Sequence, residues 1–382
     1  MRNILLASVA LITLTSAAMA NGNDAYILQV GADNNAVQSQ TGAENGALAV
    51  QLGRSNGSTQ NQYGSDNVGL SLQIGKDNTV DQNQGNAAVS TFDSTAIAIQ
   101  VGKGNTAETT QLHRDHEVYS LQVGEGNRVR NNQWGGNDDL IATLQVGKNN
   151  TSMATQNSGN DHTALAVQIG KDNMAHSRQD GSANLSKVLQ VGKDNRGSVK
   201  QDGKTNDATL VQIGEGNRSG TMGGNWWDAV TPTAYGQTQI GDNNDAVAIQ
   251  IGKDNKVTQT QGTTGQWAAI SKGSEATVLQ IGRENEANQF QTGLNQDAVI
   301  LQLGAENSAK QKQTHGENDA LAIQVGFKNT STQLQAGAYG DVTVVQLGAK
   351  NTATQDQQVN SRHDNAMAIQ AGVRNTSTQT QR

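Results

Sequence analysis

The sequence predicts an all-β fold: a β-solenoid of about fifteen 22-residue strand-turn-strand rungs forming two stacked parallel sheets. Three observations predict it. First, an ordinary core is missing: of 382 residues, aromatics are 3% and hydrophobics 34%, with 43 Gly, one Pro and no Cys. Second, the pattern Q-[VILA]-G-x-x-N recurs fifteen times from Gln29 to Gln370, mostly at intervals of 22 or 23 residues. Third, a second Gln follows at an offset of eleven in fourteen of the fifteen units, as in Gln29/Gln40, Gln51/Gln62 and Gln73/Gln84.

Residues 1–20, "MRNILLASVALITLTSAAMA", stand apart from the repeats. Arg2, the short apolar run Ile4 to Ala17 and the Ala18-Met19-Ala20 site have the form of a cleaved export signal. The mature chain, 21–382, is expected to be exported and to consist of repeats throughout. No later segment is long and apolar enough to predict membrane insertion. Without cysteine, an exported chain must take its stability from the fold itself. A net charge of −7 argues against nucleic acid as a partner.

Each unit then opens with a first strand. Asn45, Ala47, Ala49 and Gln51 fall on one face by alternation, and Gly46, Leu48, Val50 and Leu52 on the other. A tight turn follows, with Gly31, Gly53 or Gly75 two residues after Gln free to take φ > 0, and Asn34, Asn56 or Asn78 three further on able to tolerate the left-handed region. The second strand puts sets such as Asn56/Ser58/Gln60/Gln62 on one face and residues such as Arg128, Arg130, Lys256 and Lys310 on the other. Among regular second strands the Gln face carries no charge, which marks it as the interior.

Strictly repeated Gln and Asn make sense only in a stack. With each strand about 4.8 Å above the last, Gln lies over Gln and Asn over Asn, as at Asn45 and Asn67. A carboxamide both donates and accepts, so it bonds up and down the ladder at once. Fifteen rungs would make a rod of roughly 70 Å. Insertions around 86–96 and 263–274 fall after the second Gln, and one around 219–235, with Trp226, Trp227 and Pro232, falls between Gln212 and Gln239. One end of each unit is therefore nearly fixed in length and the other tolerant.

The aliphatic residues of the first strands, Leu48, Val50, Leu70, Leu72, Ile97, Ile99, Leu301 and Ile323 among them, form a continuous wall. With the Gln face inside, this wall lies outside as a self-association surface. The rival register turns the aliphatics inward.

The segments "NGALAVQLGRSNGSTQNQ" (Asn45 to Gln62) and "NDAVAIQIGKDNKVTQTQ" (Asn244 to Gln261) resemble the curlin repeat of curli, the bacterial extracellular amyloid fibre. The resemblance covers nearly all of 23–382. It implies a secreted β-solenoid, bound for the cell surface by way of the periplasm, that polymerises with itself into biofilm-matrix fibres and takes part in adhesion and aggregation. It also implies a nucleator subunit and an outer-membrane secretion machinery as partners. The chain departs from those subunits in its many more repeats, and in having only Asn21-Gly22 between the leader and the first repeat, where they carry a segment addressing them to the secretion pore.

Other function classes find less in the residues. No enzyme chemistry, cofactor or metal is expected: His113 and His116 read as exposed loop histidines, and turns such as Gly170 to Asn173 lack the G-G-x-G-x-D repeat of calcium β-rolls. Charged turn residues (Asp66, Lys76, Asp77, Glu125, Lys171, Asp172) read as solvated, or as brakes on aggregation. Two alternatives remain open: a monomeric solenoid surface adhesin, and an ice-binding solenoid suggested by the pairs Thr330/Thr332, Thr352/Thr354 and Thr376/Thr378.

Overall fold

The computed structural model describes residues 22–221, 234–263, 271–358 and 363–382. Among them all regular structure is β, and the coils stack as a β-solenoid. The leader (1–20) and Trp226-Trp227 lie outside the described residues. The chain forms two compact units, ending at Asp172 and beginning at Asn173 respectively.

In the first unit seven first strands, from Asp24–Ala32 to Thr163–Lys171, pair in parallel in one register. Gln29 lies beside Gln51, Gln51 beside Gln73, and Gln73 beside Gln100. Its second strands pair in the same way, with Gln40 beside Gln62 and Gln62 beside Gln84. The second unit repeats the scheme with eight first strands, from Leu185–Lys193 to Asn365–Val373.

The insertions leave the register intact. After Thr79–Gln84 the chain leaves the sheet and rejoins it as Thr91–Phe92, beside Gly64 and Ser65. The strand Arg218–Thr221 ends early, and Gln237–Asp242 fills the rest of that rung by pairing with Val199–Lys204. Ser271–Lys272 completes the rung begun by Lys256–Gln261.

Burial settles the two registers. In Gly46–Arg54 the residues Ala47, Ala49 and Gln51 are buried, while Leu48 is 36% exposed. In Gly57–Ser65 it is Ser58, Gln60 and Gln62 that are buried. The Gln face is inside in both strands and the rival register is excluded. What is left between the sheets is narrow and filled by amides, Ala, Ser and Val. Where a larger residue enters, its neighbour shrinks: a Cβ on Gly197 would lie 2.4 Å from Leu210 Cδ2.

The glycine two residues after each first Gln is required twice over. Gly53 and Gly75 have φ of 129° and 126°. A Cβ on Gly53 would also stand 1.9 Å from the carbonyl oxygen of Gly75 in the next coil. The left-handed residue of this turn, however, is not the Asn. It is the position before it: Asp33, Ser55 and Asp77 have φ near 57°. Asn34, Asn56 and Asn78 instead turn inward to bond along the stack, and that role outweighs their tolerance of αL.

Candidate functional site

The repeated amides form continuous ladders. In the first unit Gln29 Nε2 donates to Gln51 Oε1 at 2.7 Å, Gln51 to Gln73 at 2.8 Å, Gln73 to Gln100 at 3.0 Å, and so on to Gln168. A second ladder runs Gln40, Gln62, Gln84, Gln111, Gln133, Gln156. In the second unit Gln190 to Gln370 and Gln179 to Gln381 do the same.

From Gln40 onward the ladder amides are also tied to the backbone. Gln62 Nε2 reaches the carbonyls of Gly46 and Asn67, both at 3.0 Å. A buried donor without partners costs about 1–3 kcal/mol, so these bonds are what make a polar interior tolerable.

The Asn ladder runs the opposite way. Asn78 Nδ2 donates back to Asn56 Oδ1 at 3.1 Å, and Asn56 to Asn34 at 3.1 Å. Each Asn Oδ1 also takes the backbone N–H of the next Asn, as Asn56 Oδ1 does from Asn78. In the amide-to-amide bonds Gln thus donates to the higher coil and Asn to the lower one, while the second Asn Nδ2 hydrogen goes forward to a glycine carbonyl, as Asn56 to Gly75, which gives the stack a chemical polarity. Of the predicted ladder residues, Gln51, Gln62, Gln73, Gln84, Asn45, Asn56, Asn67 and Asn78 are buried, whereas Gln29, Gln40 and Asn34, in the first described coil, are half-buried.

The wall residues lie outside, as the Gln-inside register required. Leu48 is exposed; Val50, Leu70, Leu72, Ile97, Ile99, Leu301 and Ile323 are half-buried because each is flanked by its counterparts above and below. The Thr pairs stand in register over three coils, Thr330↔Thr352↔Thr376 and Thr332↔Thr354↔Thr378. Lys310 breaks the Thr332 column on one side, and Lys312, Leu334 and Asp356 occupy the next column. Asp66, Asp77 and Lys76 are exposed turn residues.

One constellation escaped the reading of the sequence. His113 is exposed, but His116 is fully buried, which corrects the expectation that both are loop histidines. His116 occupies the inward corner position that is Asn45 and Asn67 in earlier coils. Asp139 and His162 occupy it in the next two, also buried. His116 Nε2 donates to the Leu112 carbonyl at 2.8 Å, so its Nδ1 is the bare acceptor. That atom lies 3.6 Å from Asp139 Oδ2, beyond hydrogen-bond distance, and neither atom has a hydrogen-bond partner among the described residues. Asp139 Oδ1 accepts the His162 backbone N–H at 2.9 Å.

Burial pushes Asp139 up to about 7, with Asp161 and Asp138 adding repulsion, and burial pushes His116 down to about 4. The neutral carboxylic acid facing a neutral imidazole is the favoured state. The signal for it was a departure from Asn six residues before the first Gln at 116, 139 and 162. Among the described residues no group of three or more His, Cys, Asp or Glu is placed to hold a metal ion.

Comparison with protein-family models returns no match, and comparison with curated proteins returns none either. A β-solenoid of this kind is compatible with a repetitive structural or adhesin-like protein.

Proposed function

We propose that the chain is a secreted structural subunit that assembles end on end into curli-like fibres of the biofilm matrix, acting in adhesion and aggregation. The observation that carries this reading is the polarity of the ladders. Each ladder Gln accepts from the Gln of the coil before and donates to the Gln of the coil after, so a coil offers amide donors on one side and acceptors on the other. Donors on one side and acceptors on the other fit head to tail, and a head-to-tail contact leaves the same pair of faces available again.

Export is supported by the signal-like residues 1–20 and the absence of cysteine. In this reading the chain performs no chemistry. Its partners are other copies of itself, with a nucleator and a secretion machinery as the repeat's resemblance implies. Dilution of residues 21–382 from denaturant, followed by thioflavin fluorescence and electron microscopy, tests it. Fibres that form after a lag and are seeded by preformed fragments are the expected result. A monomer that persists for days at high concentration overturns it in favour of the adhesin.

A further inference from the structure

Two rows of like charge in the second unit form few ion pairs among the described residues. On the outer face of the second strands Arg196 lies beside Arg218 and Arg218 beside Lys256, one coil apart. These three side chains line a cleft of about 300 Å³ whose one carboxylate is Glu286. Among the described residues none of the three has a carboxylate within ion-pair distance, and stacking them one strand spacing apart, about 4.8 Å, is repulsive.

On the outer face of the first strands the sign is reversed. Asp245, Glu275, Asp297, Asp319 and Asp341 stand in one column in consecutive coils, all exposed. Among the described residues Asp207, at the head of the column, is the one member with an ion pair, to Lys187 at 3.1 Å. Asp297 and Asp319 are held above the usual carboxylate range by partial burial and by the neighbouring carboxylates. Beside the column runs a groove of about 360 Å³ floored by Val299 and Leu321.

We propose that the Arg196–Arg218–Lys256 row docks into the acidic groove of a second copy of this chain, joining copies side by side. Both rows belong to parallel stacks with the same strand spacing, so cation and carboxylate match coil for coil once one pair is aligned. The groove suits long basic side chains: their methylene stems lie over Val299 and Leu321 while the charged heads reach Asp297 and Asp319. The contact is heterologous, so each copy keeps one row free and the association continues laterally. It does not depend on end-on growth, since monomers carry both rows.

A two-component charge exchange tests this on the full mature chain. R218E/K256E carries acid in both places, and D297K/D319K carries base in both. Each variant alone is expected to lose side-by-side association at least about 10-fold, read as sedimentation of monomers and as bundle width of any fibres. An equimolar mixture of the two is expected to regain it, because the altered row of each then meets its complement in the other. Raising salt from about 0.05 to about 0.5 M weakens the wild-type contact through screening.

Circular dichroism and thermal melting of each variant report whether it folds. End-on growth is scored separately by thioflavin fluorescence and fibre length, so failure of the fibre reading and failure of the lateral contact are distinguishable. Unchanged association of either variant alone, or a mixture that stays apart, overturns the proposal. So does a wild-type chain that stays single but captures alginate through Arg218 and Lys256, since the cationic row would then serve an anionic polysaccharide.

Discussion

Each coil has two corners, and in the first unit they behave differently. The corner after the first strand carries Asn34, Asn56, Asn78, Asn105, Asn127 and Asn150 in an unbroken ladder, with its glycines stacked backbone on backbone. The corner after the second strand begins the same way at Asn45 and Asn67, then passes to Ser94, His116, Asp139 and His162. It is also the corner that admits the extra residues after Gln84.

The difference teaches where the fold is strict. At the first corner an identical amide and an identical glycine are needed in every coil, because each satisfies the coil above and the coil below. At the second corner the backbone N–H needs only some inward oxygen in the preceding coil. Ser94 Oγ supplies one to His116 at 3.1 Å, and Asp139 Oδ1 supplies one to His162.

The largest effect expected from this contrast is at the strict corner's glycine. Gly124→Ala places a side chain at φ 123° and a Cβ 1.9 Å from the Gly147 oxygen. A loss of roughly 3–5 kcal/mol is expected in denaturant unfolding. A melt within 1 °C of wild type would show that the stacked glycines are not required.

Next comes the amide itself. Asn127→Ala removes one of the two donors to Asn105 Oδ1 and the side-chain acceptor of the Asn150 backbone N–H, and leaves Asn150 Nδ2 with backbone carbonyls alone. The expected loss is roughly 2–4 kcal/mol, against about 1 kcal/mol for Ser94→Ala at the tolerant corner. Equal losses at the two positions would erase the distinction between corners.

The third test uses pH, because in this unit the second corner places ionisable side chains, His116 and Asp139, at its buried inward position. Asp139 has a raised folded pKa, so its contribution is complete below about 3.8 and is lost as pH rises through about 7. His116 has a lowered folded pKa, so its contribution is complete above about 6.5 and is lost as pH falls toward 4. In the native chain these opposed slopes nearly cancel between pH 4 and 6.5. The variants separate them. Asp139→Asn, which returns the repeat's own residue, should become more stable as pH rises from 4 to 6.5. His116→Asn should become less stable over pH 4 to 7. Either slope is bounded by about 1.4 kcal/mol per pH unit. Parallel pH profiles for the two variants would refute the neutral acid–imidazole pairing.

The smallest effect on stability lies outside both corners. Leu48→Lys should shift unfolding by no more than about 0.5 kcal/mol, because the side chain already faces solvent. Changes of this kind along the wall are expected to disperse bundles of folded chains, which light scattering would report.

The sequence by itself determined the coil, its length, its two strands and which of their faces bears the amides. A period of 22 residues with glycine at a fixed offset leaves few ways to fold, and uncharged Gln and Asn are useful in a core only when stacked. It did not decide whether the aliphatic columns face in or out, since both faces of a first strand are apolar enough to be buried.

Tertiary structure alone decided three further matters. The left-handed residue is the one before the Asn, because the Asn must turn inward to reach its neighbour one coil away. His116 is core and not loop, because a position in the ladder is defined by what lies above and below it. The basic and acidic rows exist only as columns: Arg196, Arg218 and Lys256 are 22 and 38 residues apart in the chain, and stacking sets them side by side. Alternation and turn chemistry act within a coil and can be read along the chain. Contacts between coils depend on which residues fall at equal heights, and that is fixed only when insertions are looped out and the register closes.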